Sequence, residues 1–224
     1  LRQIVDLRKQ KPELKVLLSI GGWGSGRFSE MAANDEYRRA FVADCARVVK
    51  EFALDGIDID WEYPTSSMAN ISSSPDDTEN FTLLMQDIRA AIGNEKELTL
   101  ATVASARYID FKAILPSVDF VNIMAYDMAS APKHHSALYP SGHSGDITSD
   151  GAVTAHLKAG VPPSKLVMGM PFYGRGGDGY PSFQDYNKVG NTDTQYTEKW
   201  DEVAQVPYLA DKNDTLVFGF ENPR

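Results

Sequence analysis

Apolar and polar positions along this chain follow two periods, and the chain switches between them repeatedly. Across 35–53, "DEYRRAFVADCARVVKEFA", the residues Phe41, Cys45, Val48, Val49 and Phe52 fall on one helical stripe, with Asn34 placed to cap its start. The next stretch, "DGIDIDW" at 55–61, changes to a period of two and predicts a strand. Residues 74–93, "SPDDTENFTLLMQDIRAAIG", predict a second helix, with Ser74 as N-cap, Pro75 at the first helical position, acids in the first turn and Gly93 at the close. Then come the strand "LTLATVA" (98–104), the short helical "DFKAILPS" (110–117), the strand "VDFVNIMAY" (118–126), the helix "DGAVTAHLKAG" (150–160) and the strand "KLVMGMPFY" (165–173). At the front, a helix near residues 1–10 leads to the strand "KVLLSI" (15–20).

These strands are short, apolar and rich in β-branched residues, as expected when both faces are covered. Helix and strand in alternation predict an α/β fold with a parallel sheet. Polar or glycine-rich clusters stand at the C-terminal ends of several strands: "SIGGW", "DIDWEY", "MAYD" and "PFYGR". Functional groups supplied by many strands at one face favour a (β/α)8 TIM barrel over a doubly wound open sheet, which would gather them at one switch point. The stretch 176–224 breaks the rhythm and reads as long loop, ending in one more strand, "TLVFGF" (215–220). Its interleaved Tyr180, Phe183, Tyr186 and Tyr196 predict packed loop structure, so residues 1–224 are expected to form a single domain.

The strand at 55–61 carries the chemistry. Asp58, Asp60 and Glu62 alternate with Ile57, Ile59 and Trp61, so the acids share one face. In a barrel that face points into the lumen, with same-side positions roughly 6.6 to 7 Å apart. Such a column demands protonation, a metal or dense hydrogen bonding. Stacked carboxylates raise one another's pKa and titrate together, and one held protonated near neutral pH can serve as a general acid. A column on one strand is too elongated for a metal, whose ligands converge from several strands or a tight loop, so none is expected. Solvent-exposed acids on an edge strand are the plain alternative, and the flanks "ALDGI" and "WEYP" are not those of a solvated edge.

Composition narrows the partners. With 224 residues, 42% hydrophobic and 24% charged, the chain can bury a sizeable core. The net charge of −9 argues against nucleic acid or an anionic membrane as partner, and no apolar run approaches the roughly 20 residues of a membrane span. The opening "LRQIVDLRKQ" is amphipathic and charged, unlike a signal peptide. Cys45, the only cysteine, is expected to pack as a small apolar residue. His134, His135 and His143 in "KHHSALYPSGHS" are read as solvated loop residues, with sugar contact by His135 or Tyr139 and a metal site as alternatives.

"LDGIDIDWEYP" resembles the DxxDxDxE signature of the family 18 glycoside hydrolases, the chitinase family. "SIGGW" (19–23) is similar to the family's SxGG motif, "MAYD" (124–127) to its MxYD, and "MGMPFYGR" (168–175) to its next strand, all in the family's order. The resemblance implies cleavage of β-1,4 linkages next to N-acetylglucosamine, in chitin or chitooligosaccharides, by a substrate-assisted retaining mechanism that needs no cofactor. It assigns Glu62 as acid and base, Asp60 as the hydrogen-bond partner of the acetamido N–H, Asp58 as sharer of its proton, and Tyr126 as donor to the acetamido oxygen. Asp55 is expected to be structural. Met124 and Asp127 would line the same subsite, and Trp23 would be a stacking platform unless it packs into the core. Gly21 and Gly22 would let backbone approach the acids, while Tyr173 and Arg175 would meet sugar hydroxyls, a surface salt bridge being the alternative for Arg175.

By the family pattern, strands 1, 2 and 8 are absent, so a fragment of a barrel is expected. The stretch between Arg175 and "TLVFGF" is too short for the family's inserted α+β subdomain, which implies a shallow cleft. The partner is a glycan containing N-acetylglucosamine, the protein is expected to be a monomer, and its location to be secreted or in the cell envelope. Two alternatives stand: an enzyme acting on N-glycan cores or peptidoglycan-type glycans, and a lectin-like chitin binder without catalysis.

Overall fold

The computed structural model of the protein describes residues 1–177, 184–185 and 196–222. These form two compact units, one of 1–102, 107–122 and 159–167, the other of 103–106, 123–158 and the rest of the chain from 168.

The first unit carries a parallel sheet of five strands in sequential order: β1 (Leu17–Gly21), β2 (Gly56–Asp60), β3 (Glu97–Val103), β4 (Phe120–Met124) and β5 (Leu166–Met168). Helices stand between them, chiefly α2 (Phe28–Ala33), α3 (Asp35–Glu51), α4 (Asp77–Ile92) and α5 (Phe111–Ile114), after a short opening α1 (Arg2–Val5) that continues as a 3-10 turn to Lys9. Strand–helix alternation with sequential parallel pairing is the build of a (β/α) barrel wall, with five of the eight strands such a barrel holds.

Local chemistry sets the boundaries. Asn34 caps α3 as predicted, its side-chain oxygen accepting from the backbone N–H of Glu36 and Tyr37 at 2.9 and 3.1 Å. Cys45 faces inward on that helix at 1% exposure, and burial pushes its thiol up to about 12. The second long helix begins at Asp77, two residues later than the Ser74 cap predicts. The reason is Asp77 itself: fully buried, it accepts from the N–H of Thr65 and Ser74 and from the Ser29 hydroxyl, so the residues before it fold around its carboxylate instead of entering the helix. Asp55 is structural, as expected, and its carboxylate takes the Arg8 guanidinium and the N–H of Val16.

The second unit differs most from expectation. The predicted parallel strand 165–173 ends early, at Met168, and its last residue, Tyr173, instead opens β6 (Tyr173–Gly176) of a separate antiparallel sheet. With β7 (Gln184–Asp185), β8 (Thr197–Asp201), β9 (Val206–Ala210) and β10 (Leu216–Gly219), it takes the order β7-β6-β10-β9-β8. The predicted loop over 196–214 is thus largely two paired strands. Every residue of β9 is buried, so its sequence lacks the alternation that marks a half-exposed strand. Phe218, Leu209 and Phe220 form its apolar core. Tyr180, Phe183 and Tyr186 lie outside the described residues. The helix α6 (Ser149–Lys158) completes this unit.

Candidate active site

The strict alternation of β2 has the predicted consequence. Ile57 and Ile59 are fully buried and Trp61 is 2% exposed, while Asp58, Asp60 and Glu62 are only partly covered on the opposite face. Trp61 stacks on Phe28 of α2 at 5.4 Å and meets the edge of Phe81 of α4 at 5.5 Å, locking the back of the strand. Hydrogen-bonded β structure stops at Asp60, so Glu62 sits just beyond the C-terminal end of the strand.

The two aspartates of this column have opposite surroundings. Asp58 accepts from three side chains on three other strands: Ser19 Oγ of β1 at 2.7 Å, Thr99 Oγ1 of β3 at 2.6 Å and, from one strand further, Asn122 Nδ2 of β4 at 3.2 Å. Register explains the first two, since Ser19, Asp58 and Thr99 lie side by side across the sheet. Asp60 has no such support. Its Oδ1 is buried and finds no hydrogen-bond partner among the described residues. Burial first, and then the charges of Glu62 and Asp58, push its pKa up to about 7. A carboxyl in that position holds a proton near neutral pH and releases it when a charge or donor arrives.

Beside the column, Gly21 is needed where it stands. A Cβ there would lie 1.9 Å from the Asp60 carbonyl oxygen, and its φ is +131°. Gly22 is needed for a different reason than crowding: a Cβ would meet nothing within 4 Å, and the constraint is its φ of +103° together with its N–H donated to the Asp60 carbonyl at 2.8 Å. Trp23 is 61% exposed and edge-on to Tyr63 at 6.4 Å, and Tyr63 stacks on Tyr108 at 5.4 Å. The Tyr63 hydroxyl bonds Glu62, and burial with the negative charge of Glu62 raises the tyrosine's pKa.

In the second unit, Asp127 follows Tyr126 at the end of β4, where the strand finishes on Met124. Its carboxylate accepts two bonds from the Arg175 guanidinium, one at 2.6 Å from Nε, and one from the Tyr173 hydroxyl. Burial pushes this carboxyl up, yet the bonds from Arg175 and Tyr173 prevail and hold it well below the usual carboxylate range. Tyr126 meets the edge of Tyr173 at 6.3 Å, and Gly169 leaves room for the Tyr126 ring, which a Cβ would approach to 2.8 Å.

The model of the Glycosyl hydrolases family 18 matches residues 1–224. The chain belongs to that family. Over 275 aligned residues it is 32% identical to chitinase A1 of Niallia circulans, covering 99% of this chain and 39% of that protein. It is 36% identical over 196 residues to chitotriosidase-1 of Mus musculus, covering 78% of this chain and 41% of that one. Among solved structures, the family 18 N-acetylglucosaminidase of Paenibacillus barengoltzii superposes with a TM-score of 0.90 at 32% identity, covering 99% of this chain and 74% of that chain. The chitinase domain of the Clostridium difficile spore coat protein CotE gives 0.80 at 36% identity, covering 99% and 67%. The fold is therefore the family's (β/α)8 barrel in part, and the family 18 chain spans about two fifths of the length of those two curated relatives.

Sequence reasoning on this family 18 chain found the column but missed what holds it. Ser19, Thr99 and Asn122 were legible in principle, as polar residues at period-two positions in otherwise apolar strands. Tyr63 and Tyr108 gave no comparable signal. The histidine loop is a correction. His134 and His135 are 2% and 1% exposed, not solvated, because Asp201 from far along the chain meets His134 and the Tyr173 ring packs 5.5 Å from His135; of the three only His143 is exposed. Among the described residues no group of three or more metal-ligating side chains is present.

Proposed function

We propose that this chain is the catalytic part of a hydrolase that cleaves β-1,4 linkages next to N-acetylglucosamine, with chitin or chitooligosaccharides as substrate. The observation that carries the reading is Asp60: an acid beneath Glu62, unpartnered at Oδ1, with its pKa pushed up to about 7, above an Asp58 that three donors hold in place. A nucleophilic carboxylate would be kept charged by donors, whereas Asp60 is kept ready to exchange a proton.

In this reading the sugar's own acetamido oxygen attacks the anomeric carbon while Glu62 gives its proton to the glycosidic oxygen, releasing the leaving sugar as an alcohol. Asp60 turns to accept the acetamido N–H, which raises the nucleophilicity of the acetamido oxygen and stabilises the positive oxazolinium. The proton Asp60 holds passes to the Asp58 side of the pair as it turns. Glu62, now a carboxylate, takes a proton from water, which opens the oxazolinium and restores the original configuration. Tyr126 donates to the acetamido oxygen, Met124 and Asp127 line its subsite, and Trp23 offers an exposed ring for a sugar face, flanked by Gly22. Tyr173 and Arg175 serve first as partners of Asp127. A polymeric substrate of this kind lies outside the cell, so the same reading makes the protein an extracytoplasmic one.

The test is hydrolysis of a chromogenic chitobioside by the longest natural form of this chain and by its Glu62→Gln variant. Loss of a general acid and base costs about 10²- to 10⁴-fold in turnover, with oligosaccharide affinity largely retained. Equal turnover by the two forms would overturn the assignment. Binding of chitooligosaccharide without cleavage by either would make the protein a lectin.

A further inference from the structure

Three consecutive residues, His134, His135 and Ser136, are 2%, 1% and 6% exposed, and each meets a carboxylate from a different part of the second unit. His134 Nε2 lies 3.1 Å from Asp201 of β8, and Ser136 donates to Glu221, which follows β10. His135 meets Asp127 of the MAYD stretch. The outer two contacts tie the tripeptide to the antiparallel sheet. The middle one reaches the turn that presents Tyr126 and Asp127.

That turn is held in a backbone conformation that residues with a side chain avoid. Asp127 has a φ of +55°, left-handed for a non-glycine residue. Two backbone donors keep it there, and both bond to residue 135: the Met128 N–H to the His135 carbonyl at 2.9 Å, and the Asp127 N–H to His135 Nδ1 at 3.4 Å. The first bond survives any substitution at 135. The second belongs to the imidazole alone.

The tautomer follows from that bond. Nδ1 accepts, so the ring proton sits on Nε2, which is buried and has no partner among the described residues. Nδ1 also stands 3.5 Å from Asp127 Oδ1, but a neutral ring with its lone pair on Nδ1 has nothing to donate there. An apolar residue filling the same space against Tyr173, whose ring lies 5.5 Å away, would do away with the unpaired Nε2–H but would leave the Asp127 N–H without its acceptor. The imidazole is thus a poor choice for packing and a good one for holding the Asp127 N–H.

We propose that His135 is a positioning residue for the hydrolysis: through Nδ1 it fixes the left-handed turn at Asp127 and with it the Tyr126 hydroxyl and the Asp127 carboxylate. The proposal rests on the hydrolase reading above. At 1% exposure His135 does not touch substrate, so its effect passes through the turn.

The deciding pair is His135→Phe and His135→Asn, assayed on the chromogenic chitobioside in the longest natural form of the chain. Phenylalanine keeps the ring and removes the unpaired N–H, so His135→Phe is expected to melt at or above the wild-type temperature yet lose about ten- to hundredfold in kcat, as small misplacements of catalytic groups do. Asparagine offers a carbonyl oxygen to the same N–H, so His135→Asn is expected to melt lower and recover kcat to within about threefold, well short of the misplacement penalty. A packing role predicts the same order of melting temperatures and the reverse order in kcat, so kcat is the deciding measurement. Ser136→Ala, which breaks only the Glu221 bond, is expected to lower the melting temperature and leave kcat unchanged. Wild-type kcat in His135→Phe, or a kcat loss shared by Ser136→Ala, would overturn the proposal. If the wild type does not cleave, or cleavage is indifferent to Glu62→Gln, the hydrolase reading falls and the His135 role falls with it.

Discussion

Asp60 and Asp127 are both half-covered aspartates on the C-terminal side of parallel strands, and their environments treat them in opposite ways. Asp127 is supplied with donors from Arg175 and Tyr173, and it stays charged well below the usual carboxylate range despite burial. Asp60 has a buried oxygen with no partner among the described residues and two acids for neighbours, and it titrates near neutrality, at about 7. Burial pushes both pKa values up; hydrogen-bond supply decides the outcome. The protein spends donors on Asp58 and Asp127, whose positions they fix, and withholds them from Asp60.

The sharpest way to break that contrast is Asp60→Asn. It removes the proton store and the negative charge that would face the oxazolinium, and turnover is expected to fall by about 10²-fold or more, as for loss of a single preorganised charge-stabilising group. Stability should move the other way. A carboxyl whose folded pKa lies above its unfolded value weakens the native state as pH rises from the ordinary carboxylate range towards about 7, because the unfolded chain loses its proton first. Thermal melts should therefore show Asp60→Asn more stable than wild type at pH 8, with the gap closing by about pH 4. A variant less stable at pH 8 would mean that Asp60 is satisfied by a partner in solution.

The contrast was half legible in the sequence. Strict alternation in "DGIDIDW" exposed the column and its apolar back, because a period of two has one structural meaning. Asn34 announced its helix because capping is local chemistry. The helix after the column was misplaced by two residues because its start obeys Asp77, a carboxylate answering to Ser29, Thr65 and Ser74 across loops no local pattern describes. His134 and His135 looked like loop residues for the same reason: the groups that bury and pair them, Asp201 among them, come from far along the chain. Strand β9 escaped notice because full burial erased its alternation.

A smaller effect is expected from the other side of the comparison. Arg175→Gln withdraws the paired donors from Asp127, and turnover is expected to drop about tenfold through loosened positioning of the turn. The pH signature is the mirror of that at Asp60. A carboxylate with a depressed folded pKa adds stability at and above the ordinary carboxylate range, and that stability is lost as pH falls through the depressed value. Wild type and Arg175→Gln should differ most in melting temperature near pH 7 and converge in strong acid. A constant gap across pH would place the role of Arg175 in packing alone.

The mildest test concerns Asp58, the acid that links the two regimes. Thr99→Val keeps the shape of a 1% exposed residue and removes the 2.6 Å bond, leaving Ser19 and Asn122 as donors. Losing one of three bonds is worth about 1.5–3 kcal/mol at most for a charged acceptor, and relaxation of the remaining donors should confine the loss in turnover to about fivefold. The direction of the accompanying shift is the informative part. An acid limb of the pH–rate profile that moves up as turnover falls would mean that the donors beneath Asp60 govern how it holds its proton. If the limb stays while turnover falls, Asp58 acts only as a strut beneath Asp60, and the proton stored in this column never leaves the upper aspartate.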